Sequence, residues 1–254
     1  RVYINPGHGS WGPNDRPAAT IPYPALETGR PDTLGFYETN TNLWKCLELG
    51  SALERMGVKG ENIMFSRRKN GPYPYVKGAA DEDKYNRSLS EICEEADVNN
   101  MDMFISIHSN AAGSSTNQTS VNFLYFALDG YATSSSTKIS NSKKMATKAW
   151  DHCILDRHQP WTHYDYQSSS GSYLKIEQQS LGVLNHTIPG YLSEGYFHDY
   201  SPARHRYMNK GVCALEGIAY ARGVADYYGL TKEKTGDIYG VVRDKNVQFT
   251  HKYY

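Results

Sequence analysis

Short apolar runs, each bounded by turn-forming residues, predict the strands of this protein. The run at residues 2–4 is β-prone, and Pro6 with Gly7 ends it because proline gives a ladder no donor. Residues 103–107 (MFISI) form a mostly apolar run, which is typical of a strand covered on both faces. The predicted strands cover residues 2–4, 62–67, 103–107, 121–126, 181–184 and 191–193, and the last two are paired around the Pro189-Gly190 turn.

Apolar residues at helical spacing predict four amphipathic helices between and after these strands. The first begins near Thr41 and ends before Gly57, which stands where a C-terminal cap belongs. The second has an apolar stripe that starts at Leu89, the third covers residues 145–154, and the last runs from residue 208 to near Gly229. This alternation predicts an α/β fold, in which a twisted, mostly parallel or mixed β-sheet carries helices on both faces.

The length of 254 residues fits one domain with a substantial core. After Leu230 the composition becomes charged, and the segment DIYGVVRDKNVQF that follows is β-like but too short to fold alone. We therefore assign residues 1–229 to a single domain and residues 230–254 to a C-terminal extension, the start of a further β-rich module.

The balance of charged residues argues against some classes of binding partner. Lysine plus arginine equals aspartate plus glutamate at 27 each, so no overall field attracts nucleic acid or an anionic membrane surface. No apolar stretch approaches the roughly 18 residues that a bilayer-spanning helix needs. We expect no nucleic-acid partner, no membrane span and a monomer.

The four cysteines, at positions 46, 93, 153 and 213, form no CxxC pair, which argues against a structural zinc knot or a redox dithiol. Each falls on the apolar stripe of a predicted helix, so buried free thiols are favoured. Their even number leaves one or two disulfides open.

Two histidines follow predicted strands in the same sense. His8 stands between two glycines just after the first strand, and His108 follows the run at 103–107. Parallel neighbouring strands bring their carboxyl ends to one rim, and Glu38 precedes the first helix, where the helix dipole favours a carboxylate. A His, Glu and His set leaves one coordination position of zinc open, which is the pattern of catalytic zinc sites.

A second carboxylate, Glu194, ends a late strand and could face water at such a metal. A carboxylate in that place can take a proton and pass it to a leaving amine, and amide hydrolysis needs both steps. Structural roles remain open: Glu38 as a helix-start carboxylate, His108 as a strand-end histidine, and Glu194 as a cap or a partner of Arg204. His198 is the nearest rival as a ligand because it is close to Glu194 in sequence.

With these motifs, the chain resembles the zinc-dependent N-acetylmuramoyl-L-alanine amidase family, which includes bacterial cell-separation and sporulation enzymes. That family has a D/N-P-G-H-G turn, a G-x-x-E element, a strand ending in S-I-H-x-N, and a late strand with glutamate, glycine and an aromatic residue. The matching residues are 5–9, 35–38, 106–110 and 194–197, and the arginine that ends the family's second strand is matched by Arg67 or Arg68. Thr39 replaces the lysine that commonly follows the glutamate.

The resemblance implies that His8, Glu38 and His108 hold one zinc ion and that Glu194 is the catalytic base and acid. It further implies hydrolysis of the amide bond between N-acetylmuramic acid and the L-alanine of the stem peptide in peptidoglycan. The catalytic domain would be residues 1–229. The site of action would lie outside the cytoplasm, periplasmic or secreted, after removal of a leader.

Two alternatives stay open. One is a zinc carboxypeptidase, which uses the same ligand types on the free end of a cell-wall or other peptide. The other is a catalytically inactive wall-binding module. The segments 10–34, 68–84 and 156–172, which are rich in Tyr, Trp and Pro, are expected to line the substrate groove.

Overall fold

A six-stranded β-sheet lies at the centre of the structure. The computed structural model describes residues 1–9, 38–71, 82–110, 124–155, 176–198 and 210–232. The strands are β1 (Val2–Pro6), β2 (Ile63–Phe65), β3 (Met103–Asn110), β4 (Leu124–Asp129), β5 (Ile176–Gln179) and β6 (Gly190–Phe197). Their order across the sheet is β2-β1-β3-β6-β4-β5.

The sheet is mixed, as the sequence predicts. Strands β2, β1, β3 and β6 run parallel to one another, whereas β4 and β5 run parallel to each other and antiparallel to β6. Because β1, β3 and β6 are parallel neighbours, their carboxyl ends meet at one edge of the sheet. We call this edge the carboxyl edge.

Helices cover both faces of the sheet, which confirms the predicted architecture. The helices are α1 (Glu38–Arg55), α2 (Glu82–Tyr85), α3 (Leu89–Val98), α4 (Ser136–Trp150) and α5 (Lys210–Tyr228). Alternate strand residues divide between two cores because successive side chains point to opposite faces. Ile4 and Ile105 pack beneath α1, α4 and α5, whereas Tyr3 and Phe104 pack towards α3.

Local signals set several helix ends. Gly57 and Gly229 follow α1 and α5 with φ of +91° and +68°, a left-handed conformation that glycine adopts without strain. Ser88 and Glu91 form a capping box at the start of α3. Helix α1 begins at Glu38, before the predicted start near Thr41. None of the helices in the described ranges combines the length and apolarity that a membrane crossing requires.

The predicted strand at residues 181–184 is wrong. Gly182–Leu184 form a 3-10 turn, and Val183 and Leu184 are buried in the core beneath α3. Their apolar character therefore reflects burial rather than strand pairing. The fifth strand is instead Ile176–Gln179, whose sequence IEQQ lies at the sheet edge and lacks apolar alternation.

The apolar stripe of α3 is shorter than predicted. Ile92, Cys93 and Ala96 are buried, but Leu89 is 50% exposed. Leu89 is the first residue of the helix, and its side chain lies over Gly182 rather than over the sheet. All four cysteines are free and buried, so the prediction of core thiols is confirmed.

Several predictions fall on parts of the chain outside the described residues. These are the first three residues of the strand predicted at 121–126, the segments 10–34 and 156–172, most of 68–84, Arg204, and the extension from residue 233 onward.

His186 is a buried titratable group on the face covered by α3. Its ring packs on Phe104 with centroids 4.2 Å apart, and its Nδ1 donates to the carbonyl oxygen of Ile188 at 2.9 Å. Burial, followed by the charge of Lys138, lowers the pKa of His186 from 6.5 to about 4. The folded state therefore resists protonation of this ring, whereas the unfolded chain accepts the proton near pH 6.5.

We expect His186 to make folding sensitive to mild acid. The contribution of His186 to the free energy of unfolding is fully present above the pKa that this ring has in the unfolded chain. It is lost as the pH falls towards the pKa of the ring in the folded state, by about 3 kcal/mol in total. Urea unfolding of the wild type and His186→Asn at about pH 7 and about pH 4 measures this. Asparagine keeps a donor near Nδ1 but does not titrate. Equal acid losses in both proteins would rule out His186 as the cause.

Candidate metal centre

His8 lies just beyond the end of β1, where the chain turns into the left-handed region with φ of +58° at this residue. The Gly7 N–H donates to the carbonyl oxygen of Ile107 at 2.9 Å, which continues the β1–β3 pairing up to the turn. A Cβ at Gly7 would lie only 2.2–2.5 Å from three ring atoms of His108. Glycine is therefore required at position 7 for the turn to pass beside that imidazole.

Glu38 is the first residue of α1, and its side chain is buried at the carboxyl edge. Its Oε1 accepts hydrogen bonds from the Ser109 N–H at 3.1 Å and from Asn42 Nδ2 at 3.3 Å. The positive end of the helix dipole also favours a carboxylate here. Strand β3 and helix α1 together hold the Glu38 carboxylate in place.

The side chains of His8, Glu38 and His108 converge. His8 Nε2 lies 3.1 Å from Glu38 Oε2, and His108 Nδ1 lies 3.1 Å from Glu38 Oε1. One ligand atom from each of the three residues lies within 4.8 Å of the others. Tetrahedral ligands about 2.0–2.1 Å from zinc are about 3.3 Å apart, so the set fits a single metal ion after small side-chain adjustments.

The protonation states of these groups suit a metal. Burial by itself would raise the pKa of Glu38, but the surrounding imidazoles, led by those of His198 and His8, lower that pKa well below 4.5. Burial lowers the pKa of His108 below 6.5 despite its hydrogen bond with Glu38. An ionised carboxylate and a neutral imidazole are the forms that bind metals.

Glu194 lies directly opposite His108 in the parallel pairing of β3 and β6, so the two side chains share one face of the sheet. Burial, followed by the charge of Glu38, raises the pKa of Glu194 well above 4.5. The next pair in the ladder is Asn110 with Phe197, so β6 bulges after Glu194, and Tyr196 adopts φ of +65°.

The sequence matches the Amidase_3 family model, N-acetylmuramoyl-L-alanine amidase, over residues 2–225. The chain belongs to the N-acetylmuramoyl-L-alanine amidase family. The match spans the elements that carry His8, Glu38, His108 and Glu194 in one continuous stretch. It confirms the resemblance found in the sequence and the expected enzyme class, an N-acetylmuramoyl-L-alanine amidase that acts on peptidoglycan.

Solved structures of amidases share the fold of this chain. The N-acetylmuramoyl-L-alanine amidase AmiC2 of Nostoc punctiforme has a TM-score of 0.57 and 17% identity, covering 90% of this chain and 96% of that one. The catalytic domain of CwlV from Paenibacillus polymyxa has a TM-score of 0.56 and 18% identity, with coverages of 91% and 98%. Ami1 from Mycobacterium smegmatis has a TM-score of 0.58 and 18% identity, with coverages of 90% and 96%. A search of the curated proteins finds no significant match.

In this amidase, Arg67 supports the turn that presents His8. The guanidinium donates to the carbonyl oxygens of Pro6, Gly7, His8 and Thr39, at 2.7–3.2 Å. It therefore ties the end of β1 to the start of α1, which carries Glu38. The sequence leaves Arg67 and Arg68 as equal counterparts of the family's arginine. Arg68 instead stacks over the ring of Phe65 at 4.0 Å, so Arg67 holds the turn.

His198, the rival ligand, lies beside Glu38 and is buried. Its Nδ1 is 3.6 Å from Glu38 Oε2 and 3.1 Å from the Ser109 carbonyl oxygen. His198 therefore contacts the Glu38 carboxylate but is not one of the three residues whose ligand atoms cluster. Sequence reasoning missed this contact because it depends on the bulge in β6. It also missed Asn42, although a position four residues after Glu38 on a helix predicts contact between the two.

Proposed function

We propose that this amidase is zinc-dependent and cleaves the amide bond between N-acetylmuramic acid and L-alanine. The observation that carries the proposal is the convergence of His8, Glu38 and His108 at the carboxyl edge. Two imidazoles and one carboxylate are a ligand set that suits zinc and leaves a position open for catalysis. The chemistry that zinc supplies when bound is Lewis acidity, which polarises a carbonyl and lowers the pKa of water to about 7.

Glu194 is the proposed proton carrier. Its position opposite His108 in the β3–β6 ladder supports this role, because the two side chains share one face of the sheet. A carboxylate oxygen of Glu194 takes a proton from the attacking water and delivers it to the amine nitrogen of the departing L-alanine. Burial and the charge of Glu38 raise the pKa of Glu194, and a carboxyl group with a raised pKa holds a proton more readily between the two transfers.

The substrate sets the proposed location. Peptidoglycan lies outside the cytoplasm, so we propose that the enzyme works in the periplasm or after secretion, as a monomer. Residues 1–229 would form the catalytic domain, and residues 230–254 would belong to an extension. The family match covers residues 2–225.

Product analysis on purified sacculi tests the function. The proposed activity creates new amino groups on L-alanine and leaves glycan strands without peptides. A carboxypeptidase would instead release a terminal amino acid, and a binding module would retain sacculi without releasing amines. Mass spectrometry of protein purified without chelator should give about one zinc per chain. Absence of zinc from active protein would contradict the metal assignment.

Arg67 offers a test of the support around the metal. Arg67→Met removes the donors that join the His8 turn to α1. We expect zinc affinity to fall about 10- to 100-fold, as for other groups that orient metal ligands. Competition with a chromophoric chelator measures the affinity. The neighbouring Arg68→Met variant is the matched control and should bind zinc like the wild type. Equal affinities for both variants would show that Arg67 does not position the ligand.

A further inference from the structure

A buried ion pair lies behind the candidate metal centre, on the face of the sheet covered by α1 and α5. Lys45 Nζ of α1 lies 3.0 Å from Glu216 Oε2 of α5, and both side chains are 0% exposed. Glu216 Oε1 also accepts a hydrogen bond from the Tyr220 hydroxyl at 2.7 Å.

The Lys45 ammonium also contacts the backbone of the two strands that carry the site. Its Nζ donates to the carbonyl oxygen of Gly195 at 3.3 Å and, at 3.5 Å, to that of His108. Gly195 directly follows Glu194. A single cation therefore joins β3 and β6 at the point where the bulge shifts their register.

The backbone is shaped to admit this pair. A Cβ at Gly195 would lie 2.7 Å from Glu216 Oε1, so a larger residue would push the carboxylate away from β6. The Lys45 ammonium also lies 5.6 Å from the ring centre of Tyr196, the bulge residue with positive φ. Lys45 and Glu216 thus pack against the bulge of β6.

Stability alone does not explain two charges at this depth. Desolvating a buried pair costs several kcal/mol per ion, and apolar replacement of such pairs is often neutral or stabilising. The contacts of Lys45 instead join the backbone of His108 to that of the residue after Glu194. Small displacements between groups of this kind have large effects on rate.

We propose that Lys45, held by Glu216, is a positioning residue that fixes the end of β3 bearing His108 relative to the bulge of β6 beside Glu194. The proposal rests on the proposed function, in which His108 binds zinc and Glu194 carries the proton. Lys45 acts through the backbone and touches neither substrate nor metal.

The test replaces the pair without leaving a buried charge. In the double variant Lys45→Met/Glu216→Gln, the glutamine amide oxygen can still accept the hydrogen bond from the Tyr220 hydroxyl. The matched control is Lys138→Met/Asp129→Asn. It removes another buried lysine-carboxylate pair, in which the lysine likewise donates to a backbone carbonyl. Asp129 is the last residue of β4. Because β4 is antiparallel to β6, this pair lies at the end of the strands opposite the carboxyl edge.

We expect kcat on sacculi to fall about 10- to 100-fold in the Lys45 double variant, with KM changed little. The visible spectrum of the Co²⁺-substituted protein should also change, because it reports the geometry of the ligands. The control variant should keep the wild-type kcat and spectrum, whatever its melting temperature. A Lys45 double variant that keeps the wild-type kcat and Co²⁺ spectrum overturns the proposal.

If the double variant does not fold, the single variant Glu216→Gln tests the proposal. It keeps Lys45 and an acceptor for the Tyr220 hydroxyl. A lower kcat with unchanged KM supports positioning, and an unchanged kcat overturns it. Failure of the proposed function would be separate, since wild-type protein itself would then bind no zinc or release no alanine amine.

Discussion

Glu194→Gln is expected to lower kcat on sacculi by about 10²- to 10⁴-fold, which is the usual contribution of general acid-base catalysis. Glutamine keeps the shape of the side chain but cannot take the proton of the attacking water. Glu194 pairs with His108 across the strands and is outside the proposed ligand set. The variant should therefore bind zinc as tightly as the wild type.

Amine release from sacculi and zinc content, measured on the same preparations, check this result. Glu61→Gln is a matched control, because Glu61 is an exposed carboxylate just before β2, at the opposite end of that strand from the carboxyl edge. Full activity of Glu194→Gln would remove Glu194 from the mechanism. Loss of zinc together with activity would instead assign Glu194 a role in holding the metal.

Removal of zinc is expected to abolish hydrolysis and also to destabilise the fold. A ligand that binds only the folded state adds about 4 kcal/mol when its concentration is about a thousandfold above its Kd. For a domain of this size, that energy corresponds to about 8–16 °C in melting temperature. His8, Glu38 and His108 come from the turn after β1, from α1 and from β3, so only the folded chain brings the three ligands together.

Thermal unfolding with and without chelator, followed by addition of zinc, measures the shift. His108→Ala should melt at one temperature in both conditions, because a ligand is missing. His186→Asn serves as the control, since that histidine lies away from the carboxyl edge, and it should keep the zinc-dependent shift. Persistence of the shift in His108→Ala would show that the stabilising zinc binds elsewhere.

Much of the fold is predictable because burial leaves a direct trace in the sequence. Strand β3 is covered on both faces, so apolar residues occur at consecutive positions and not only at alternate ones, and α1 shows its buried side by helical spacing. Strand β5 leaves no such trace, because an edge strand with polar side chains resembles a loop. The apolar residues Val183 and Leu184 misled for the opposite reason, since a 3-10 turn can also fill a core.

The candidate ligands are predictable to the extent that parallel strands share a carboxyl edge. That rule alone places His8 and His108 near one another, and the start of α1 supplies Glu38. Lys45 escapes this reasoning, because a lysine on a helix is ordinarily solvated. Its acidic partner belongs to the last helix, and only the packing of α5 against α1 brings the two together. Contacts with backbone carbonyls, such as those of Arg67, depend on register and loop path, which periodicity does not encode.

The buried cysteines can serve as intrinsic reporters of unfolding. A thiol reacts as the thiolate, and burial raises the pKa of Cys93 to about 11 and that of Cys213 to about 12. Cys46 and Cys213 have no exposed surface. Alkylating reagents should therefore modify Cys46 and Cys213 only in molecules whose helices have separated from the sheet. The rate of alkylation would report how often the native packing breaks, without any added dye or engineered probe.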